Sequence, residues 1–315
     1  NMSQAKDSAW VDPGATASDS LDGNLTSSIT ITGTVDVNTT GVYTLTYSIS
    51  DGASNEANAT RTVNVGQAST HNADLNATVQ LQMLWVEPGT FTMGSPTTET
   101  GRGTNETEHN VSLTKGFYLG KYEVTQAQYE AVMTGNTNSL NATPSQWPNN
   151  PNRPVEKVSW ADAQIFLTRL NAQQSANIPA GWAYVLPTES QWEYACRAGT
   201  TTRYFWGNLI ATIHANYSFS GLNQTSNVGS YAANPWGFFD MHGNVWEWTA
   251  DAWGRHASGV QTDPFSAGAW GSSRVIRGGS WKSGTLDLRS ANRDYDIPSS
   301  RSLSIGFRVG FQSSK

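Results

Sequence analysis

The last forty residues limit what this chain can become more than any other stretch. From Arg274 it reads RVIRGGSWKSGTLDLRSANRDYDIPSSRSLSIGFRVGF. Segments with the residues a core needs (277–281, 288–293, Pro298, 305–308) alternate with short runs that follow neither helical nor strand period. Those runs are Lys282 to Asp287, Asp294 to Ile297 and Ser302 to Ser304. The fold must thread the first kind through its interior and hold the second kind outside it. Side chains that no core selects are selected by solvent or a partner, and binding groups favour loops on rigid scaffolds.

The chain has 315 residues, which predicts two domains with a sizeable core in the larger. Charged residues make up only 14%, and there are thirteen Trp. That balance suits an extracellular or virion-type protein rich in strands and loops. A formal net charge of −6 gives no basic stripe and argues against nucleic-acid binding. The single cysteine, Cys196, excludes an intramolecular disulfide framework and a cysteine-rich metal site. No apolar run approaches the roughly eighteen residues of a membrane span, and the N-terminus NMSQAKDSAW lacks the apolar core of a secretion signal.

Residues 1–66 read as an all-β sandwich. Alternating β-branched runs at Ser28 to Val35, Gly41 to Ser50 and Ala59 to Val65 are separated by turns at Asp22-Gly23 and Asp51-Gly52. Residues 67–78 (QASTHNADLNAT) are small, polar and aperiodic, as a linker is. The second domain is expected over 79–315. It opens with a hairpin signal, Leu84 to Val86 and Phe91 to Gly94 flanking Pro88-Gly89. Three helices are marked by their caps: Thr125 with Gln128, Ser159 ahead of Ala163, Phe166, Leu167 and Leu170, and Thr188 with Gln191.

The first domain, with Asp12-Pro13-Gly14 and Val42 to Ile49, resembles bacterial immunoglobulin-like repeats of surface proteins, which act as spacers. Those repeats have one more strand ahead of that turn; either Met2 to Trp10 supplies it or the domain is truncated. The second carries PGTFTMGS (88–95), YEVTQAQYEAV (122–132), LPTESQWEYACRAG (186–199), GFFDMHGNVWEW (237–248), RGGSW (277–281) and IGFRV (305–309). These motifs resemble the formylglycine-generating-enzyme (sulfatase-modifying factor) superfamily, and the resemblance implies an α+β, C-type-lectin-like fold. Fold alone does not imply function.

Oxidase members of that superfamily use two cysteines five positions apart, and soft thiolates are what hold monovalent copper. The matching positions here are Thr285 and Ser290, so no catalytic residue is assigned. The tail resembles more narrowly the variable proteins of diversity-generating retroelements, whose last segment keeps RGGSW…RSANR…P…IGFR and diversifies the codons between. The variable region is then about 277–308. Asp, Tyr, Ser, Gly, Thr, Ile and Leu are products of adenine-directed change at an AAC codon; Lys282 departs from that rule.

This reading makes the protein a non-catalytic receptor- or ligand-binding protein, extracellular or on a cell or virion surface, with no nucleic-acid partner and no membrane insertion. Its partner is a surface protein or glycan. The expected contact set is Trp281, Lys282, Ser283, Gly284, Thr285, Asp287, Asp294, Tyr295, Asp296, Ile297, Ser300, Ser302 and Leu303. Residues 294 to 297 are expected on one exposed face with Lys282 and Ser283. The alternatives are an undiversified surface binder of the same fold and an oxidase relative. No cofactor is required, but the superfamily resemblance implies a structural calcium site at Asp240 and Glu247 with the carbonyls of Gly243 and Val245. The competing role for Glu247 and Asn244 is to hydrogen-bond buried loop backbone. Arg277, Arg289, Arg293 and Arg308 are expected to bridge loops rather than to bind an anion.

Overall fold

The computed structural model describes residues 2–6, 9–256, 259–269 and 272–313. The chain divides into two compact units, Asn1–Ser69 and Thr70–Lys315.

The first unit is strands joined by turns. They are β1 Met2–Ala5, β2 Ser18–Asp19, β3 Gly23–Asn24, β4 Thr30–Thr32, β5 Gly41–Ser50 and β6 Glu56–Gly66. Four form one sheet in the order β1-β6-β5-β4, and β2 pairs only with β3. Leu45 and Tyr47 on β5 and Val63 and Val65 on β6 are the buried residues, alternating along each strand with the period of two of a half-buried strand. β1 runs parallel to β6 with Met2 opposite Val63, so residues 2–5 do supply a strand ahead of the Asp12 turn. Tyr47 donates its hydroxyl to Asp12 at 2.7 Å and Arg61 Nη2 donates to the Gly14 carbonyl at 2.7 Å, pinning that turn to the sheet.

The second unit begins earlier than the sequence suggests. Thr70–Asp74 (β7) pairs antiparallel with Gln80–Val86 (β8), Ala73 and Leu75 are buried, and His71 stacks on Phe311 at 4.4 Å. The expected linker over 67–78 is therefore half strand. The inward row His71, Ala73, Leu75 is too short and too weakly apolar to register as a period.

β9 Gly89–Met93, β10 His109–Leu113, β11 Phe117–Gly120, β12 Trp182–Val185, β13 Trp246–Ala252 and β14 Gln261–Thr262 follow. The tail adds β15 Arg274–Arg277, β16 Arg293–Asp296, β17 Ile305–Phe307 and β18 Gly310–Ser313. The sheets run β14-β10-β9, β12-β18-β11-β8-β7 and β16-β15-β13-β17. β8 and β9 thus lie in different sheets. The Pro88-Gly89 corner transfers the chain from one sheet to another and does not close a hairpin.

Three helices pack on this framework: α1 Gln126–Met133, α2 Trp160–Gln173 and α3 Glu189–Arg197. Each begins with a reciprocal capping box, from Thr125 to Gln128, Ser159 to Asp162 and Thr188 to Gln191. The largest core cluster joins Tyr129 of α1 and Phe166 of α2 to Trp248 on β13, Phe307 on β17 and Phe311 on β18. The last forty residues do weave through this interior: β18 lies between β12 and β11, and β15 between β16 and β13.

Candidate ligand-binding site

The tail is held by buried guanidinium–carboxylate pairs that reach across the fold. Arg277 pairs with Glu193 of α3, and both side chains are inaccessible to solvent. Arg289 takes Glu106 and Glu99 at 2.7 Å. Arg293 meets both oxygens of Glu189 at 2.7 and 2.6 Å. Arg308 meets both of Glu247 at 3.0 and 2.8 Å. Arg277 and Arg293 also donate to loop carbonyls, of Ala291 and Gly254 among others, and Arg308 to the carbonyl of Gly120 at the end of β11. These arginines are rivets, and planar two-pronged donors suit the task. Burial alone would raise Glu189, yet Arg293, with His256 and Arg277 nearby, holds it well below the usual carboxylate range.

The runs between rivets fall into three groups. After Arg277 the chain turns at Gly278 and Gly279, both at positive φ (93° and 75°); a Cβ on Gly279 would lie 2.8 Å from Leu288. Trp281 is half-buried. Its ring packs edge-on against Trp147 at 5.5 Å and its Nε1 donates to the Leu303 carbonyl at 3.2 Å. Lys282 is exposed and Leu303 is half-buried. Ser302 is tied down: its carbonyl accepts from Lys157 N at 2.9 Å. Ser300 closes a turn by donating its N–H to Ile297 O at 2.9 Å.

The second group is a 3-10 turn, Thr285–Leu288. Asp287 accepts from Gly284 N at 3.2 Å, and the Thr285 carbonyl accepts from the Tyr204 hydroxyl at 2.7 Å. Leu286 is 43% exposed, more so than its half-buried neighbours Gly284, Thr285 and Asp287.

The third group is strand, where a loop was expected. β16 is an edge strand whose register sets Asp294 opposite Ile276 and Tyr295 opposite Val275. Successive side chains of a strand point to opposite faces, so Tyr295 projects away from Asp294 and Asp296. Tyr295 is 49% exposed and lies against Trp253 at 4.7 Å, while Ile297 is 57% exposed. Burial, with the charges of Asp287 and Asp296 close by, raises Asp294 above the ordinary value.

Two expectations therefore need correction. Ser283 is buried: its Oγ accepts from Ser280 N at 3.1 Å and its carbonyl accepts from Ser218 N at 3.1 Å. It builds the turn and cannot serve as a contact. Nor do 294 to 297 present one face, because the strand alternates them. Sequence reasoning in turn missed Trp147 and Trp253, which stand beside the tail; they lie 134 and 42 positions away from their partners Trp281 and Tyr295, beyond any local pattern.

The positions matched to oxidase thiols have no redox chemistry to offer. Thr285 is half-buried, and Ser290 is wholly buried with its N–H on the Arg203 carbonyl at 2.7 Å. Cys196 is sealed in the core between Met241 and His242, and burial pushes its thiol up to about 12. Such a thiol is inert at neutral pH.

The expected calcium donors are committed to other partners. Both Glu247 oxygens are taken, one by Arg308 and the other by Arg308 and Trp192 Nε1 (2.8 Å). Asp240 instead accepts from Gly229 N at 2.6 Å, and Val245 N donates to Glu123 at 3.1 Å. A cation at Glu247 would sit against the buried Arg308 guanidinium, so these residues do not fit calcium. Among the described residues no group of three or more His, Cys, Asp or Glu side chains is placed to hold a metal ion. Asn244 follows the competing expectation, its Oδ1 accepting from Ser226 N at 2.9 Å, whereas Glu247 bonds the side chains of Arg308 and Trp192 and no loop backbone among the described residues.

Comparison with known proteins fits this geometry. A family model described as a sulfatase-modifying factor enzyme 1-like domain matches residues 68–312, and one for a bacterial surface protein Ig-like domain matches residues 1–65. The mouse formylglycine-generating enzyme is 28% identical over 289 residues, covering 72% of this chain and 74% of its own. Among solved structures, Treponema denticola variable protein 1 superposes with a TM-score of 0.65 at 25% identity, over 76% of this chain and 98% of its own. PvdO from Pseudomonas aeruginosa does so with a TM-score of 0.65 at 29% identity, over 78% and 100%. Among the described residues no helix is long and apolar enough to cross a membrane.

Proposed function

The chain belongs to the sulfatase-modifying factor enzyme 1-like family through residues 68–312, and we propose that within it this protein binds a ligand instead of oxidising cysteine. One observation carries the reading: Thr285 and Ser290 stand where oxidase relatives keep thiols, and Ser290 is closed off from solvent. The likeness in fold to a variable protein supports it further. The binding groups are Trp281, Lys282 and Leu303 with Trp147, the Thr285 to Asp287 turn, and Asp294 to Asp296 on β16 with Ile297 after it, beside Trp253.

Such a set binds economically because the scaffold is ordered beforehand and little entropy is lost on docking. Tyr295 supplies rigid aromatic area, while Asp287, Asp294, Asp296 and Lys282 select by charge, a division of labour like that of antibody loops. The partner is a protein or glycan on a surface. The first unit acts as a spacer on an extracellular, cell-surface or virion protein, and the C-terminal runs are the diversified part of a retroelement variable protein.

Copper titration and oxygen uptake with a cysteine-containing peptide separate this from oxidase chemistry. Neither tight copper binding nor turnover is expected, and turnover would end the binding-only account. The neighbouring DNA tests the class: a near-copy of the coding stretch for 277–308, differing mainly at adenines and beside a reverse-transcriptase gene, is expected. Its absence would leave the undiversified surface binder.

A further inference from the structure

A second concave site lies where the start of α3, the end of β13 and β14 meet, with Arg293 the tail residue on its wall. It encloses about 400 Å³. Its wall carries the carboxylates of Glu189, Asp251 and Asp263, the guanidiniums of Arg255 and Arg293, and the imidazoles of His109 and His256.

The carboxylates are all engaged. Glu189 is clamped by Arg293. Asp251 accepts from Glu189 N at 2.7 Å and Ser266 N at 2.9 Å. Asp263 accepts from Thr114 N at 2.8 Å and from the Thr114 hydroxyl. The uncommitted groups are of the opposite character. Arg255 makes no ion pair or hydrogen bond among the described residues. The His256 side chain is only 7% exposed; Nε2 stands 3.6 Å from Glu189, beyond a good hydrogen bond, and among the described residues neither ring nitrogen has a hydrogen-bond partner. Buried polar groups are nearly always satisfied, and an orphan in a cavity marks a missing partner. His109 packs edge-on against His256 at 4.9 Å. Its Nδ1 faces the Thr107 carbonyl at 2.9 Å and must carry the hydrogen there, which leaves Nε2 as an acceptor.

We propose that this cavity is a carboxylate-binding site, in which Arg255 and an N–H of His256 hold the acid group and His109 Nε2 accepts from a hydroxyl or amide of the same ligand. A cation with fixed fork geometry beside an imidazole N–H matches the two oxygens of a carboxylate. Of the three acids of the wall, Glu189 is neutralised by Arg293, whereas Asp251 and Asp263 keep their charge and spend their oxygens on the donors of Glu189, Ser266 and Thr114. The inference stands apart from the function proposed for the tail, since none of the residues that would touch the ligand belongs to the tail's contact set.

Isothermal titration of the full chain with glucuronate, glucose and a glutamate-containing tripeptide tests it. Glucuronate or the tripeptide is expected to bind, and which of them does identifies a sugar acid or an acidic side chain as the source. Glucose is expected to bind at least about tenfold more weakly, as is glucuronate to Arg255→Gln or His256→Gln. Arg255 is exposed and has no partner among the described residues, so its variant keeps the fold even where the His256 variant melts early. A Tyr295→Ala control should leave carboxylate affinity unchanged. The proposal is overturned by equal affinity for glucose, by unweakened binding in the Arg255 variant, or by no binding of either acid at about 10 mM.

Discussion

Glu156 is wholly buried, one oxygen accepting from Gln146 N at 2.6 Å and the other without a partner. Burial pushes its acid up to about 7. Because the folded value lies above the ordinary 4.5, the folded state binds the proton more tightly than the unfolded chain does. That contribution to stability is complete below about 4.5 and is lost as pH rises toward 7. Thermal melts across that window should therefore fall more steeply for the wild-type chain than for Glu156→Gln; equal slopes would remove Glu156 from the account. Phe307 makes a simpler case. It is fully buried with its ring 5.2 Å from Phe166, so Phe307→Ala should cost roughly 3–5 kcal/mol in denaturant unfolding. Arg289→Ala should cost a similar 3–5 kcal/mol, because it leaves Glu106 buried and unpaired. Phe307 and Arg289 were legible as framework from the sequence. Ser283 was not: a serine that caps a turn and a serine that meets solvent look alike until the chain around them is folded.

At the scale of elements, β16 shows how an exposed edge is kept from pairing. Alternate amides of an edge strand face away from its neighbour and invite another chain. Here the N–H groups of Tyr295 and Ile297 donate to the carboxylates of Asp294 and Asp296, each at 2.8 Å. The two aspartates cover the donors and add charge to the edge. Replacing both by Ala should change unfolding free energy by no more than about 0.5 kcal/mol per site, yet should raise self-association measured by light scattering at low salt. A loss of several kcal/mol would make the segment structural instead. The helices were readable because caps and a 3.6 period are local signals, and α2 and α3 start where Ser159 and Thr188 place them. β7, the Pro88-Gly89 corner and the strand character of β16 were not, because strand pairing is decided by partners far along the chain. The cavity beside α3 escaped for the same reason: His109 and His256 lie 147 positions apart.

Over the whole molecule the two units differ in how much interior they own. Among the described residues the first buries Leu45, Tyr47, Val63 and Val65 as hydrophobic core, whereas the second holds three clusters. Small cores are marginal, so calorimetry of the full chain should give two transitions, the first unit melting below the second; a single transition would refute their independence. Within the second unit, the buried pairs made by Arg277, Arg289, Arg293 and Arg308 divide the tail into stretches, each anchored at its ends. Changes at distant sites without shared partners add nearly independently. A stretch can then be exchanged without renegotiating its neighbours, and the tolerated tails multiply: every acceptable version of one stretch combines with every acceptable version of the next. A few fixed ion pairs thereby turn a sum of local options into a product of them.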